Sequence, residues 1–229
     1  MKHIIIGLGN FGGSLALKLT GQGHDVIGVD RNMQKVDFYK DRITHAICLD
    51  STDIPAAAAG LPLREADTVI IAIGENEGAN IMATAVMKQL NAKRIIARAV
   101  SPLHETVLEA MGITEIVHPE EETAERLAKK LNLRGVIDSF NLSDKYNVIE
   151  AKVPAEYIGQ TVRNAKFREE FKVALLTIIR GVERKNVLGI ARKVNEVMGV
   201  VSPELVLEKD DILVLFGEIK DIQRILTND

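Results

Sequence analysis

Three glycines near the start of the chain have the spacing of a phosphate-binding turn. Gly7, Gly9 and Gly12 fall in the sequence GLGNFG and fit the pattern G-x-G-x-x-G. In such a turn the first glycine makes the tight bend, the second lets the backbone approach a pyrophosphate, and the third lets a helix pack close to a strand. The phosphates would accept hydrogen bonds from backbone N–H groups at the helix N-terminus. Because glycines are common in turns, the spacing needs support from the surrounding elements.

The segments around the glycines predict the strand and the helix that this turn requires. Residues 4–6 are three isoleucines, a composition typical of a strand buried on both faces. Residues 14–19 read as a short helix that ends near Gly21. A second strand, residues 25–29, ends in Asp30, where the dinucleotide-binding pattern has an acid that binds ribose hydroxyls. The competing interpretation is a structural turn with an incidental aspartate.

The rest of the first half alternates strands and helices. Predicted strands occupy residues 44–49, 68–73, 94–97 and 115–117, and predicted helices occupy residues 80–90, 104–111 and 120–131. This alternation, with near-continuous apolar strands, predicts a parallel sheet covered on both faces, a Rossmann-like doubly wound α/β fold. Such sheets bind ligands beyond the carboxyl ends of their strands. We therefore expect the polar residues that follow the strands to converge on one crevice.

A second, smaller α+β domain is predicted after about residue 135. Its expected elements are strands at residues 146–153, 173–179 and 212–216, a helical charge pattern at residues 161–171, and a closing helix at residues 219–226. The predicted division is residues 1–134 and residues 135–229. A domain of this size is marginal alone, so we expect it to lean on the first domain or on a second copy of the chain.

The composition limits the class of protein. The 229 residues are 46% hydrophobic and only 4% aromatic, which predicts aliphatic cores. A formal net charge of −3 argues against a nucleic-acid partner. The single cysteine, Cys48, suits a reducing compartment. Met1 leads directly into a predicted core strand, and the apolar runs are shorter than the ~20 residues of a membrane helix. We therefore expect a cytoplasmic protein.

Both halves of the chain carry sequence motifs in a recognisable order. The first half has IIIGLGNFGGSLALKL, VIGVD, CLDSTD, VIIAIG, IIARA and IVHPE, and the second has NVIEAKVP, IGQTV, FREEFKV and LVLEKDDILVLFG. Together they resemble the RCK-domain (TrkA-N/TrkA-C) regulatory subunits of Trk/Ktr-type potassium-uptake systems. The likeness covers essentially the whole chain. It identifies the first half with the nucleotide-binding part of that family and the second half with its regulatory part.

The resemblance implies a regulatory subunit and not an enzyme. Such proteins bind NAD(H) or ATP/ADP and assemble as dimers and larger rings, commonly octameric, beneath an integral-membrane potassium transporter. Nucleotide state and ions then set the conductance of the pore subunit. The implied location is cytoplasmic, at the inner face of the cell membrane, through that partner.

The resemblance also assigns site residues. The glycine turn would line the phosphates, Asp30 would bind the ribose, and Arg98 would face the phosphates or a partner subunit. The adenine would lie near Asp50 and Ser51. The full implied cofactor-binding set is Gly7, Gly9, Asn10, Phe11, Gly12, Asp30, Arg31, Asp50, Ser51, Ile73, Gly74 and Arg98.

The sequence departs from the family pattern in three places. Asn10 stands where ATP-sensing members often carry an arginine aimed at the terminal phosphate, so strong discrimination for ATP is not expected from this position. Lys172 stands where the family commonly has glycine. Residues 183–200 look longer than usual, and we interpret this insertion as a solvated loop or a contact within the ring.

Two further ligands follow from the resemblance. Glu120 begins a run of three glutamates after Pro119. These acids suit the positive end of a helix, but Glu120 also matches the acid of the family's H-P-E motif, which implies that it binds a divalent cation with its mate across a dimer interface. Oxygen ligands and phosphates fit Mg²⁺ or Ca²⁺. In the second domain, Arg168 matches the region where some relatives bind a cyclic dinucleotide, although a solvated helix charge is the simpler interpretation.

An NAD-dependent oxidoreductase is the main alternative, because the same turn serves hydride chemistry. It would need an acid–base group facing the nicotinamide. The Tyr-x-x-x-Lys pair of short-chain dehydrogenases is absent, since none of the three tyrosines has a lysine four positions on. We interpret His104 as a solvated side chain, His118 as locally hydrogen-bonded, and the Met82/Met87 stripe as core. A third possibility is a free-standing nucleotide sensor with another partner.

Overall fold

The computed structural model describes residues 1–132, 135–143, 145–185 and 191–227. The chain divides into two compact units, Met1–Glu121 and Glu122–Asp229. This division falls inside a helix, α6 (Pro119–Asn132). The predicted boundary between residues 134 and 135 lies beyond the end of this helix and stays a prediction. In the part of the chain that is described, no helix combines the length and the apolar character needed to cross a bilayer.

The first unit is built on a six-stranded sheet in which every pair of neighbouring strands is parallel. The spatial order is β3-β2-β1-β4-β5-β6. The strands are β1 (Lys2–Ile6), β2 (Asp25–Asp30), β3 (His45–Cys48), β4 (Thr68–Ile71), β5 (Ile95–Arg98) and β6 (Glu115–Val117). The order reverses direction on either side of β1, which creates a crevice at its carboxyl end. The predicted Rossmann-like fold is confirmed.

Helices connect these strands, and most begin at a residue whose side chain caps them. They are α1 (Asn10–Gly21), α2 (Met33–Tyr39), α3 (Ile54–Gly60), α4 (Glu77–Gln89) and α5 (Pro102–Ala110), followed by α6. Asn32, Asp53, Asn76 and Ser101 accept hydrogen bonds from backbone N–H groups in the first turns of α2, α3, α4 and α5. Such caps satisfy donors that a helix cannot satisfy itself.

The isoleucine run of β1 is buried because both faces of the sheet are covered. Ile4 and Ile6 pack into a cluster on one face, while Ile5 packs into a second cluster on the other. All three side chains are at most 1% exposed. Alternate strand residues point to opposite faces, so a sheet with helices on both sides needs apolar residues at every position.

The second unit contains a five-stranded antiparallel sheet with the order β10-β9-β11-β8-β7. Its strands are β7 (Val136–Asn141), β8 (Tyr146–Lys152), β9 (Ala174–Lys185), β10 (Ala191–Val197) and β11 (Ile212–Glu218). Three short helices accompany them, namely α7 (Val162–Ala165), α8 (Phe167–Phe171) and α9 (Ile219–Leu226). Its core is largely aliphatic, with three buried aromatic residues, and includes Ile149, Leu213 and Leu215. The predicted α+β character of this part is confirmed.

Two features of the second unit differ from expectation. The segment 161–171 is not one helix, because Lys166 adopts the left-handed conformation with φ 48° and separates α7 from α8. The interpretation of residues 183–200 as a solvated loop is wrong for most of their described part, and a contact within the ring stays a prediction. Here β9 extends to Lys185 and pairs with β10, with Val182 opposite Val194. Residues 186–190 lie outside the described residues.

Candidate functional site

A cavity of about 460 Å³ opens at the carboxyl ends of the central parallel strands. It lies in the crevice at the reversal of strand order, where folds of this class bind ligands. Eleven of the twelve predicted cofactor-binding residues line it, as does Glu120. They are Gly7, Gly9, Asn10, Phe11, Asp30, Arg31, Asp50, Ser51, Ile73, Gly74 and Arg98. The structure therefore brings together residues that are distant in sequence.

The glycine turn has room for a helix close to a strand and for a ligand. Gly7 has φ +99°, a conformation that favours glycine. A Cβ atom at Gly12 would lie 1.9 Å from the carbonyl oxygen of Gly7, so only glycine lets α1 approach β1 this closely. Gly12 is the predicted residue that does not line the cavity. A Cβ at Gly9 would meet no described atom within 4 Å, because Gly9 faces the open space.

The N-terminus of α1 is open at this turn. Its N-cap, Gly9, supplies no side-chain hydrogen bond, and its first turn contains no acidic residue. The first turn of any helix carries N–H groups that the helix does not satisfy, together with a partial positive charge. The neighbouring helices α2 to α5 fill this position with a polar side chain. At α1 the same position is available to an anion.

Asp30 holds the turn and still faces the cavity. Its Oδ2 accepts a hydrogen bond from the backbone N–H of Leu8 at 2.9 Å, and its Oδ1 accepts one from Asn32 at 2.8 Å. Its side chain is 10% exposed. A carboxylate has about four acceptor positions, so these two bonds leave capacity for ligand hydroxyl groups.

Asp50 and Ser51 form the wall that follows β3. The hydroxyl of Thr52 donates to Asp50 Oδ1 at 2.7 Å, and the backbone N–H of Thr52 donates to the same atom at 3.0 Å. These two hydrogen bonds lower the pKa of Asp50. Ser51 is 5% exposed. The turn is therefore ordered by its own side chains and presents a fixed polar surface.

Arg98 and Glu120, which both line the cavity, form an ion pair. Arg98 Nη1 also donates to the carbonyl oxygen of Ala72 at 3.3 Å, and its Nε has no hydrogen-bond partner among the described residues. Its guanidinium would lie 2.3 Å from a Cβ at Gly74, so a larger residue there would displace the end of the Arg98 side chain. Arg98 is mostly buried, whereas the side chain of Glu120 is 64% exposed.

The described residues contain no group of three His, Cys, Asp or Glu side chains that could hold a metal ion. The cation predicted at Glu120 needs a second copy of the chain, so it stays a prediction. In the single chain, Glu120 is the partner of Arg98.

Sequence reasoning missed a buried residue that ties the crevice together. Asn80 is fully buried, and its Nδ2 donates to the carbonyl oxygens of Ile73 at 2.7 Å and Arg98 at 3.0 Å. Its Oδ1 accepts from the hydroxyl of Thr84 at 3.4 Å. This one amide joins the residues that follow β4 and end β5. An Asn and a Thr four positions apart on an otherwise apolar helix face were the available signal.

Two charged residues at the crevice were also missed. Lys35 and Glu75 line the cavity, and their Nζ and Oε1 atoms are 3.5 Å apart. They are forty positions apart in sequence. The prediction for the methionine stripe is half right, because Met87 is fully buried but Met82 is 54% exposed and lines the cavity.

The two histidines that an oxidoreductase could use lie elsewhere. The prediction that His104 is solvated is wrong, because it is 1% exposed and burial lowers its pKa. Its helix, α5, packs against α4, which leaves this side chain inside. His118 Nε2 lies 3.3 Å from Oε2 of Glu105, a residue of α5. The expected local hydrogen bond of His118 stays a prediction. Neither histidine is among the described residues that line the cavity.

Comparisons with known proteins agree with this architecture. The model of the TrkA-N domain family matches residues 3–119. The Ktr system potassium uptake protein C of Bacillus subtilis is 34% identical over 225 residues, which cover 97% of this chain and 95% of that protein. Sequence similarity therefore extends over both units.

Solved structures of low sequence identity share the fold. The RCK domain of GsuK superposes with a TM-score of 0.66 at 18% identity, covering 99% of this chain and 48% of that one. The GsuK channel bound to NAD gives a TM-score of 0.65 at 19% identity, covering 100% and 39%. This chain thus spans half or less of those proteins. Taken together, the matched domain, the full-length relative and the shared fold show that the chain belongs to the TrkA-N family, together with the Ktr system potassium uptake proteins, as the order of its motifs predicts.

Proposed function

We propose that this chain is the nucleotide-binding regulatory subunit of a potassium-uptake system. The observation that carries the proposal is the open N-terminus of α1, which faces a cavity shared with Asp30. Its full-length similarity to a Ktr system potassium uptake protein supports the physiological assignment. The cavity volume of about 460 Å³ lies within the range of small-molecule sites, ~300–1,000 Å³.

The ligand we propose is an adenine nucleotide, either NAD(H) or ATP/ADP. Its phosphates would bind at the first turn of α1, and its ribose hydroxyls would donate to Asp30. The adenine would lie between Ser51 and Ile73. The GsuK channel, which has the same fold, has been solved bound to NAD. Asp30 supports NAD(H) over NADP(H), since its carboxylate repels a 2′-phosphate, although Arg31 lies nearby.

The partner we propose is an integral-membrane potassium transporter subunit. The chain would assemble as a dimer, and further into an octameric ring, at the cytoplasmic face of the membrane. Nucleotide binding would gate transport by favouring one arrangement of the ring. A ligand shifts such an equilibrium only by the difference between its affinities for the two states.

The proposal includes two further ligands, a divalent cation and a cyclic dinucleotide. Glu120 would bind Mg²⁺ or Ca²⁺ together with its mate and the nucleotide phosphates, which requires that it exchange Arg98 for the cation. Its high exposure makes this exchange easy. A cyclic dinucleotide near Arg168 in the second unit remains a prediction from the family resemblance.

Potassium uptake with paired binding measurements tests the proposal. Cells that lack their own uptake systems would express the membrane subunit with wild-type chain, with Asp30→Ala, or without the chain. We expect the wild type alone to support nucleotide-dependent uptake, and calorimetry to show NAD, ADP or ATP binding that Asp30→Ala weakens. If potassium uptake is the same with and without the chain while the chain binds nucleotide normally, a free-standing sensor would be favoured.

The oxidoreductase alternative has its own test. The described residues that line the cavity include Asp, Glu, Lys and Arg side chains but none of the histidines or tyrosines usual in hydride-transfer sites. We expect the purified protein not to oxidise NADH with simple carbonyl acceptors. Steady turnover that survives repurification and is lost in His104→Ala or His118→Ala would favour the enzyme.

A further inference from the structure

An ion pair crosses the crevice between its two sides. Lys35 belongs to α2, which follows β2, and Glu75 belongs to the connection between β4 and α4. These two strands flank β1 on opposite sides. The contact of 3.5 Å between Lys35 Nζ and Glu75 Oε1 therefore joins the two sides above the glycine turn.

Lys35 and the open helix end line the same two cavities. Lys35 lines the 460 Å³ cavity and also a neighbouring cavity of about 360 Å³. Gly9 and Asn10 line both cavities as well. Among the described cationic residues of the larger cavity, Lys35 is the only one that shares the second with this turn. Lys35 is therefore one cation near the first turn of α1, and Arg98, whose guanidinium carbon is 5.8 Å from the centre of the Phe11 ring, is another.

The present partners of Lys35 hold it weakly. The side chain of Glu75 is 87% exposed, and an ion pair with so exposed a carboxylate contributes little. Asp30 Oδ2 is 3.9 Å from the ammonium, and that carboxylate already accepts two backbone hydrogen bonds. Lysine carries its charge on a flexible four-carbon stem with three donors. A change of partner therefore needs only rotation of the side chain.

The charge around the turn also calls for such a cation. Asn10 brings no charge to the turn, and Arg98 is already paired with Glu120. A diphosphate at the helix end would bring more negative charge than the partial charge of a helix N-terminus offsets. A charge-assisted hydrogen bond from Lys35 would supply positive charge there without breaking the pair of Arg98 with Glu120.

We propose that Lys35 is a phosphate-recognising residue whose ammonium leaves Glu75 for the nucleotide when the site fills. This inference rests on the proposed nucleotide-binding function and adds a residue to it. The site then discriminates ligands by phosphate charge, and Glu75 acts as a competing anion that weakens binding. Occupancy also releases the connection between β4 and α4 from α2.

Calorimetric titration of the full chain with adenosine, AMP, ADP and ATP tests the inference. Lys35→Gln should weaken the binding of ADP and ATP about tenfold, which corresponds to the loss of one charge-assisted hydrogen bond. The affinity for adenosine should change by less than about twofold. Lys35→Arg should retain most of the ADP and ATP affinity. Lys40→Gln is the matched control, because Lys40 caps the other end of α2 and pairs with Asp37.

Glu75→Gln tests the competition directly. Removal of the competing carboxylate should increase the affinity for ATP about threefold. In the double variant with Lys35→Gln this increase should be absent, because the two residues then no longer interact. Equal weakening of adenosine and ATP by Lys35→Gln would overturn the inference and leave nucleotide binding standing. Weaker ATP binding by Glu75→Gln would also overturn it. A wild type that binds none of these ligands, nor NAD, would overturn the proposed function and this inference together.

Discussion

The carboxylate of Asp30 and the backbone N–H of Leu8 form a 2.9 Å hydrogen bond that ties the end of β2 to the glycine turn. One residue therefore supports the shape of the turn and faces the proposed ribose site. Asp30→Ala should lower the affinity for NAD and ADP alike, and should lower the free energy of unfolding by about 1–3 kcal/mol through the unsatisfied N–H. Calorimetry and urea unfolding measure the two effects.

The same carboxylate should set the preference between NAD and NADP. Wild type should bind NAD more tightly than NADP, and Asp30→Asn should narrow the difference by removing the charge that opposes the 2′-phosphate. Tighter binding of NADP by the wild type would refute the role assigned to Asp30.

Two glycines of the turn should respond differently to the same added methyl group. A Cβ at Gly12 would lie 1.9 Å from a backbone oxygen. Gly12→Ala should therefore lower the free energy of unfolding by about 1–3 kcal/mol or more. A Cβ at Gly9 meets open space, so Gly9→Ala should leave the melting temperature nearly unchanged but reduce nucleotide affinity. Thermal unfolding and calorimetry on both variants check this contrast. Equal losses of stability would contradict it.

If Glu120 exchanges Arg98 for a cation, the binding of that cation and the binding of ATP should be coupled. If Glu120 binds Mg²⁺ or Ca²⁺ with the phosphates, the cation must tighten ATP binding as much as ATP tightens cation binding, with a coupling of about 1–3 kcal/mol. Glu120→Gln should abolish the coupling and retain the affinity for ATP without metal. Titrations with and without the cation, with scattering to follow the size of the assembly, measure this. Identical affinities in all conditions would rule out the metal.

Burial of His104 predicts a pH-dependent loss of stability. Burial lowers its pKa in the folded state below the ordinary value of about 6.5, although nearby Glu77 acts in the opposite direction. Between the lowered value and about 6.5, the unfolded chain binds more protons, so stability falls as the pH falls through this window. His104→Leu should flatten this part of the profile in urea unfolding. His3, whose pKa is also lowered by burial, remains as a residual contribution.

Lys172 occupies a conformation that suits glycine. Its φ is +59°, in the left-handed region, at the position where the family resemblance implies a glycine. Strain in this region costs about 1–2 kcal/mol for residues with a Cβ, and the greater freedom of unfolded glycine offsets part of it. Lys172→Gly should therefore be more stable than Lys172→Ala by up to about 1 kcal/mol in chemical unfolding. Equal stability would indicate an unstrained backbone.

The position of the crevice can be predicted from the sequence. The side-chain contacts that span the crevice cannot. Apolar runs predict β1 and β4 because strands covered on both faces are continuously hydrophobic. Asp30 and Asp50 follow such runs, so their convergence is predictable. The contact of Lys35 with Glu75 depends on how α2 approaches the connection between β4 and α4, and no local sequence pattern indicates that.

The burial of polar residues on helices was also not predicted from the sequence. His104 and Asn80 lie on helices with polar neighbours in sequence, yet each faces the interior. The β9–β10 pair resembles a loop in sequence because β10 lies at the edge of the sheet and charged residues such as Arg184 and Glu196 are exposed. An edge strand has less apolar surface to bury, so its pattern resembles that of a solvated segment.

The missing cap of α1 has a thermodynamic consequence for the free protein. Each of α2 to α5 begins at a residue whose own side chain completes it, whereas α1 begins at Gly9 and depends on water or on a ligand. A bound nucleotide would serve as the cap that the sequence omits, and so would become part of the folded structure. At a ligand concentration 100 times its dissociation constant, binding adds about 2.7 kcal/mol to the free energy of unfolding. The cellular nucleotide level would then set how firmly the first unit stays folded, in addition to whatever signal the occupied site transmits.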